Sequence, residues 1–105
     1  MTKSERATAI VTGSSRGVGA STAIKLASKG WNVTITCSSS EKEAIEVSEE
    51  CKSLGGETLV IKSDVSEEKN CKDVVDQTIK KWGRLDALIN NAGTTKFNAH
   101  ENLSG

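Results

Sequence analysis

The sequence predicts an α/β fold in which helices cover both faces of a doubly wound parallel sheet. Three observations predict it: β-branched runs alternate with helical periodicity, the first run carries no charge, and a glycine-rich segment joins that run to the first helix. Strands that alternate with helices pair in parallel through right-handed crossovers. The 105 residues, 35% hydrophobic and 27% charged, fit one such domain.

The first strand and helix follow one another near the N-terminus. The run ATAIVTG (7–13) is apolar almost throughout, which is typical of a strand buried on both faces. From Gly17 to Lys29 the apolar residues recur at helical spacing, and Gly30 ends the predicted helix. Its predicted inner face consists of Val18, Ala20, Ala23, Ile24 and Ala27.

The middle of the chain repeats this strand–helix pattern. WNVTITC (31–37) predicts the second strand, and EKEAIEVSEECKSL (41–54) predicts a helix that ends at Gly55 and Gly56. ETLVIKSDV (57–65) contains the third strand. These elements extend the fold to βαβαβ.

The last predicted elements are a third helix and a fourth strand. Ser66 is a suitable N-cap for a helix that runs to about Trp82. Its predicted buried residues are Cys71, Val74, Val75 and Ile79. RLDALIN (84–90) predicts the fourth strand, and we interpret Asp86 as structural. The expected strand order is 3-2-1-4, with an apolar edge strand that a larger domain would cover.

Charge and composition exclude several classes of protein. Basic and acidic residues number 14 each, so the chain lacks the basic excess of a nucleic-acid or membrane-surface binder. No apolar run is long enough to cross a bilayer, and MTKSERAT does not resemble a signal peptide. The three cysteines form no CxxC pair, and the single His100 cannot complete a zinc site. We expect no metal, no nucleic acid, no membrane, and reduced thiols in a cytoplasmic protein.

Three glycines follow the first strand where the first helix begins. Gly13, Gly17 and Gly19 give the spacing G-x-x-x-G-x-G. A helix start leaves backbone N–H groups unpaired and partly positive, and glycine lets a phosphate approach them. A plain turn that binds no ligand would also use glycine at these positions. The position within a βαβ unit favours a pyrophosphate cradle, and no P-loop motif G-x-x-x-x-G-K-S/T is present.

The segment TGSSRGVG (12–19) resembles the cofactor-binding motif of the classical short-chain dehydrogenases/reductases. Two further segments match that family in order: DV (64–65) after the third strand, and WGRLDALINNAG (82–93). The resemblance covers essentially the whole chain and is nearest to the 3-oxoacyl-acyl-carrier-protein-reductase-like branch. It implies the N-terminal βαβαβαβ portion of a Rossmann-type sheet and an oxidoreductase that binds a nicotinamide dinucleotide.

The resemblance also implies roles for individual residues. Asp64 would accept a hydrogen bond from the adenine amino group, and the backbone of Val65 would meet the ring. The residues that would line the adenosine-side ribose are Asn91, Ala92 and Gly93. The residues that would wrap the ribose and pyrophosphate, with the Val18 amide on a phosphate, are Gly13, Ser14, Ser15, Arg16, Gly17, Val18 and Gly19.

The end of the second strand bears on the choice between NAD and NADP. NAD-binding Rossmann sites usually carry an acidic residue there, bonded to the ribose 2′-OH, whereas this chain has Cys37 followed by Ser38 and Ser39. Hydroxyls can donate to a 2′-phosphate, and the guanidinium of Arg16 suits phosphate by charge and geometry. A solvated arginine and turn-forming serines are the plainer interpretation. The missing acid favours NADP(H) over NAD(H).

The chain contains no tyrosine, whereas the resemblance implies catalysis by an Asn, a Ser and a Tyr-x-x-x-Lys pair. We therefore predict no catalytic residue in 1–105, which would form the N-terminal dinucleotide-binding part of a single domain. The parent enzyme would reduce a small carbonyl substrate, a 3-oxoacyl thioester by analogy, and would be a homo-oligomer. Two alternatives stay open: a non-catalytic dinucleotide-binding module or cofactor sensor, and a remnant that binds nothing.

Overall fold

The computed structural model describes residues 5–13, 17–37, 41–63 and 68–90. Its strands are β1 (Thr8–Thr12), β2 (Asn32–Cys37), β3 (Glu57–Lys62) and β4 (Ala87–Asn90). Its helices are α1 (Gly17–Ser28), α2 (Glu41–Ser53) and α3 (Glu68–Trp82). The strands form one parallel sheet of order β3-β2-β1-β4. The predicted α/β class, element order and strand order are confirmed.

Strand β1 lies in the interior of the sheet and is buried along its whole length. It pairs with β2 from Thr8 opposite Asn32 to Val11 opposite Ile35. On its other side it pairs with β4 as far as Thr12 opposite Asn90. This arrangement confirms the prediction of a first strand covered on both faces.

The side chains of the sheet form two cores, one on each face. On the first face the sheet packs against α1 and α2, and the buried residues are Val11, Ala23, Ala27, Val33, Ile35, Cys37, Ala44 and Cys51. On the second face it packs against α3, and the buried residues are Ile10, Ile61, Cys71 and Val74. Neighbouring strand residues point to opposite faces, so Ile10 and Val11 belong to different cores. Helices on both faces make the sheet doubly wound.

The second face also buries several hydroxyl groups. The hydroxyls of Thr34 and Thr78 lie 2.7 Å apart, and Thr78 also donates to the Val74 carbonyl at 2.8 Å. Nearby, the side-chain amide of Asn32 donates to the Thr8 hydroxyl at 3.0 Å. Buried polar groups need such partners, because an unmet donor or acceptor costs free energy. The second core is therefore partly polar.

Two predictions of buried residues are wrong. Val18 is 74% exposed and Ile79 is 43% exposed. In α1 the buried residues are Gly19, Ala23 and Ala27, four positions apart, and Val18 lies about 100° around the helix from Gly19. In α3 the buried position is Thr78 and not its neighbour Ile79. Thr78 can be buried because its hydroxyl is hydrogen-bonded to that of Thr34.

Asp86 joins two strands at the amino edge of the sheet, which is the edge where the parallel strands begin. This agrees with the prediction that Asp86 is structural. Its carboxylate accepts the backbone N–H of Thr8 at 2.7 Å and two nitrogens of Arg84, each at 2.7 Å. The backbone N–H of Asp86 in turn donates to the Thr8 carbonyl at 2.8 Å. These contacts join the chain entering β4 to the first residue of β1.

Candidate nucleotide-binding site

The carboxyl ends of the four strands meet at one edge of the sheet because all four are parallel. We call this the carboxyl edge; its strands end at Thr12, Cys37, Lys62 and Asn90. In open α/β sheets, ligands bind in the crevice outside this edge, where successive crossovers leave to opposite faces. Here α1 and α2 cover one face and α3 covers the other. The change of side falls between β1 and β4.

Two of the predicted glycines bend the chain as it passes from β1 into α1. Gly13 has a φ of 60° and Gly17 a φ of 63°, a left-handed conformation in which an L side chain is strained by about 1–2 kcal/mol. Among the described residues, apart from its chain neighbours and the backbone of its own helix, no atom lies within 4 Å of where a Cβ on Gly17 would be. Backbone conformation therefore explains the glycine at Gly17.

The beginning of α1 offers backbone N–H groups with little side chain around them. The first three residues are Gly17, Val18 and Gly19, and the first four N–H groups of any helix lack an intrahelical partner. Gly19 is buried, whereas the Val18 side chain is largely exposed. Glycines at a helix start allow a phosphate to approach such N–H groups.

Charge also distinguishes this helix start. The first turn of α1 contains no acidic residue, whereas the first turn of α2 contains Glu41 and Glu43. Acidic side chains near a helix start offset the partial positive charge of its N–H groups. No acidic side chain of the first turn offsets the partial positive charge at the start of α1.

Cys37, the last residue of β2, is only 3% exposed, and its side chain packs in the first core. Burial raises the pKa of its thiol, and Glu41 raises it further while Lys62 lowers it. A thiol with a raised pKa is a poor nucleophile at neutral pH. Cys37 therefore presents an uncharged, core-facing side chain at the position where an acid would contact a ribose.

The other predicted site residues lie outside the described residues. They are Ser14, Ser15, Arg16, Ser38, Ser39, Asp64, Val65, Asn91, Ala92 and Gly93. In the chain each of them lies within four residues of the last residue of β1, β2, β3 or β4. His100 also lies outside the described residues.

Sequence reasoning missed one polar residue at the carboxyl edge. The hydroxyl of Thr36 accepts the backbone N–H of Gly13 at 3.2 Å, although Thr36 is only 1% exposed. The signal was present in NVTITC (32–37), where threonine alternates with aliphatic residues in a strand predicted to be buried. Buried hydroxyls at alternate positions indicate partners on one face of the sheet.

The described ranges contain neither a metal-binding cluster nor a membrane-spanning helix. There, no group of three histidine, cysteine or acidic residues is placed to hold a metal ion. Nor do these ranges contain a helix with the length and hydropathy needed to cross a membrane.

A parallel sheet of this order, with a glycine turn leading into α1, is typical of α/β proteins that bind dinucleotides at the carboxyl edge. The sequence profile described as short chain dehydrogenase matches residues 7–105. The chain belongs to the short-chain dehydrogenase family.

Several known proteins are similar to this chain over most of its length. It is 40% identical over 90 residues to the 3-oxoacyl-(acyl-carrier-protein) reductase FabG of Staphylococcus epidermidis, covering 86% of this chain and 37% of FabG. A solved short-chain dehydrogenase/reductase from Serratia marcescens superposes with a TM-score of 0.80 at 37% identity, covering 86% and 36% of the two chains. An NADH-dependent reductase, A1-R′, solved with NAD, gives a TM-score of 0.77 at 27% identity, covering 84% and 36%. The chain thus spans less than two fifths of the length of these proteins.

Proposed function

We propose that this chain forms the dinucleotide-binding part of an NADP(H)-dependent oxidoreductase. The nicotinamide cofactor would supply or accept a hydride, and a carbonyl or alcohol would be the substrate. The observation that carries the proposal is the beginning of α1: left-handed glycines at Gly13 and Gly17, and a first turn with no acidic residue. A diphosphate satisfies both the unpaired N–H groups and the partial charge.

We assign the remaining contacts with the dinucleotide from the family motifs. The segment 14–16, between the two bent glycines, would wrap the pyrophosphate. Asp64 and Val65 would contact adenine, and 91–93 would line the adenosine-side ribose. Each of these segments follows the end of a strand at the carboxyl edge. Their side chains would therefore converge on one crevice.

The preference for NADP(H) rests on the end of β2. An acid at that position would repel a 2′-phosphate, and the buried Cys37 thiol brings no charge. Ser38 and Ser39 supply hydroxyls, and Arg16 supplies a guanidinium that matches phosphate. The structural neighbour A1-R′ is an NADH-dependent reductase, so the fold itself does not decide between the two cofactors.

The proposed substrate class is a 3-oxoacyl thioester, by analogy with the reductase from S. epidermidis. The 105 residues contain no tyrosine, so we propose that this chain binds cofactor without reducing a carbonyl. The same absence favours a second candidate, a non-catalytic dinucleotide-binding module. A homo-oligomeric, cytoplasmic parent enzyme completes the proposal.

The experiment that tests the proposal is a fluorescence titration of the 105-residue chain with NADPH and with NADH. We expect tighter binding of NADPH. Arg16→Ala should weaken NADPH binding by about 1–3 kcal/mol, the range for a hydrogen bond to a charged group, and should leave NADH binding nearly unchanged. The matched control is Lys25→Ala, which removes an exposed cation from the last turn of α1.

Each outcome bears on a different part of the proposal. If neither cofactor binds, the dinucleotide-binding assignment is wrong. If both bind equally, or if Arg16→Ala behaves like Lys25→Ala, the preference for NADP(H) is wrong while the assignment to a dinucleotide stands. Turnover of a 3-oxoacyl thioester by this chain would contradict its proposed inactivity.

A further inference from the structure

The ladder between β1 and β2 opens before either strand reaches the carboxyl edge. The register pairs of these strands run only to Val11 opposite Ile35. Strand β2 continues beside β3 to Cys37 opposite Lys62, and β1 continues beside β4 to Thr12 opposite Asn90. The last residues of β1 and β2 are therefore each held by their outer neighbours.

Thr36 bridges this opening with its side chain. Its hydroxyl accepts the N–H of Gly13 at 3.2 Å, where a backbone carbonyl would serve in a continuing ladder. Its own backbone stays in register with Ile61 of β3, and its side chain is almost completely buried. A β-branched side chain has few allowed rotamers, so the position of this oxygen is well defined.

Gly13 is also the residue at which the chain turns left-handed toward α1. We infer that Thr36 is a positioning residue for the dinucleotide site: its hydroxyl fixes the orientation of the Gly13 peptide and so the path of the glycine turn. The inference rests on the proposed function. Thr36 itself acts through Gly13 and needs no contact with the cofactor.

The test compares two threonines on the same strand and the same face. Thr36→Val keeps the branched shape and removes the acceptor for Gly13. Thr34→Val removes a buried hydroxyl two residues further from the site, leaving Thr78 its bond to the Val74 carbonyl. Thr36→Ser retains the hydroxyl and should restore the wild-type behaviour. The measurements are NADPH affinity, thermal unfolding and hydrogen exchange of the Gly13 amide.

We expect Thr36→Val to weaken NADPH binding about three- to tenfold, the scale of one neutral hydrogen bond, and to speed exchange at Gly13. Thr34→Val should lower thermal stability at least as much, yet bind NADPH within about twofold of wild type. Thr36→Ser should bind like wild type.

Three results would overturn the inference. The first is that Thr36→Val binds NADPH as wild type does, with hydrogen exchange at Gly13 unchanged. The second is that Thr34→Val weakens binding as much as Thr36→Val, which would show a general loss of packing. If the wild-type chain bound no dinucleotide, the proposed function would fail as well, whereas the first two results leave it standing.

Discussion

At the scale of single residues, Gly56 shows how closely the end of α1 approaches the start of β3. A Cβ at Gly56 would lie 2.7 Å from the Cβ of Ala27, 2.9 Å from its Cα and 3.1 Å from the carbonyl oxygen of Trp31. Two of these three atoms belong to the backbone and cannot rotate away. The absence of a side chain at Gly56 lets the two elements meet.

Gly56→Ala should therefore destabilise the chain by about 1–3 kcal/mol, the usual cost of overpacking a core. Urea denaturation measures the change. Ser53→Ala, at the exposed end of α2, should change the free energy of unfolding by less than about 0.5 kcal/mol. Wild-type stability of Gly56→Ala would contradict the close approach.

The sequence predicted Gly55 and Gly56 as the end of the second helix, and α2 does end just before them, at Ser53. It could not predict why Gly56 must be small, because the reason is a contact with Ala27 in another helix. Thr36 is a similar case, since its hydrogen bond reaches Gly13, 23 positions away. Local patterns specify a residue's element more readily than its distant partner.

At the scale of elements, the pairing of β4 with β1 is supported by a side chain that lies outside the ladder between these two strands. Asp86 precedes β4 and accepts the N–H of the buried Thr8, the first residue of β1. The guanidinium of Arg84 binds the same carboxylate, and this hydrogen bond raises the pKa of Arg84. Asp86 thus connects an edge strand to the interior strand at the amino edge.

Asp86→Ala should lower the free energy of unfolding by about 1–3 kcal/mol, because it removes the acceptor of a buried N–H group. Thermal or urea unfolding measures this loss. The matched variant is Arg84→Ala, which removes the ion pair near the surface but leaves the carboxylate that accepts the Thr8 N–H, and it should cost less than about 1 kcal/mol. Equal losses in the two variants would show that the ion pair, and not the Thr8 contact, matters.

The elements themselves follow closely from the sequence. Alternation of β-branched runs with helical spacing predicted all seven, and the described bounds differ from the predictions by only a few residues. The inner faces of helices were harder to predict. Val18 and Ile79 are apolar yet exposed, because the stripes that meet the sheet pass through Gly19 and Thr78. Hydrophobicity alone gives no reason to prefer glycine or threonine at a buried position.

At the scale of the whole molecule, the strand order places the proposed site. Crossovers that leave to opposite faces make the carboxyl edge between β1 and β4 the point where a crevice forms. The glycine turn could be predicted because it is a local pattern, whereas the strand order was predicted from the doubly wound class, in which right-handed crossovers leave to both faces. The choice between NAD and NADP is less accessible to sequence reasoning, because in the proposed site it would depend on how Arg16, Ser38 and Ser39 are arranged in space.

The central claim is that the glycine turn and the start of α1 hold the diphosphate of a dinucleotide. Its most direct test is to add NADPH to the isotopically labelled chain and follow the backbone amide signals by NMR. We predict shifts at Gly13, Gly17, Val18 and Gly19, and none at Arg6, Gly55 or Asp86 on the opposite edge. Binding that shifted the opposite edge and left the glycine amides unmoved would contradict the claim.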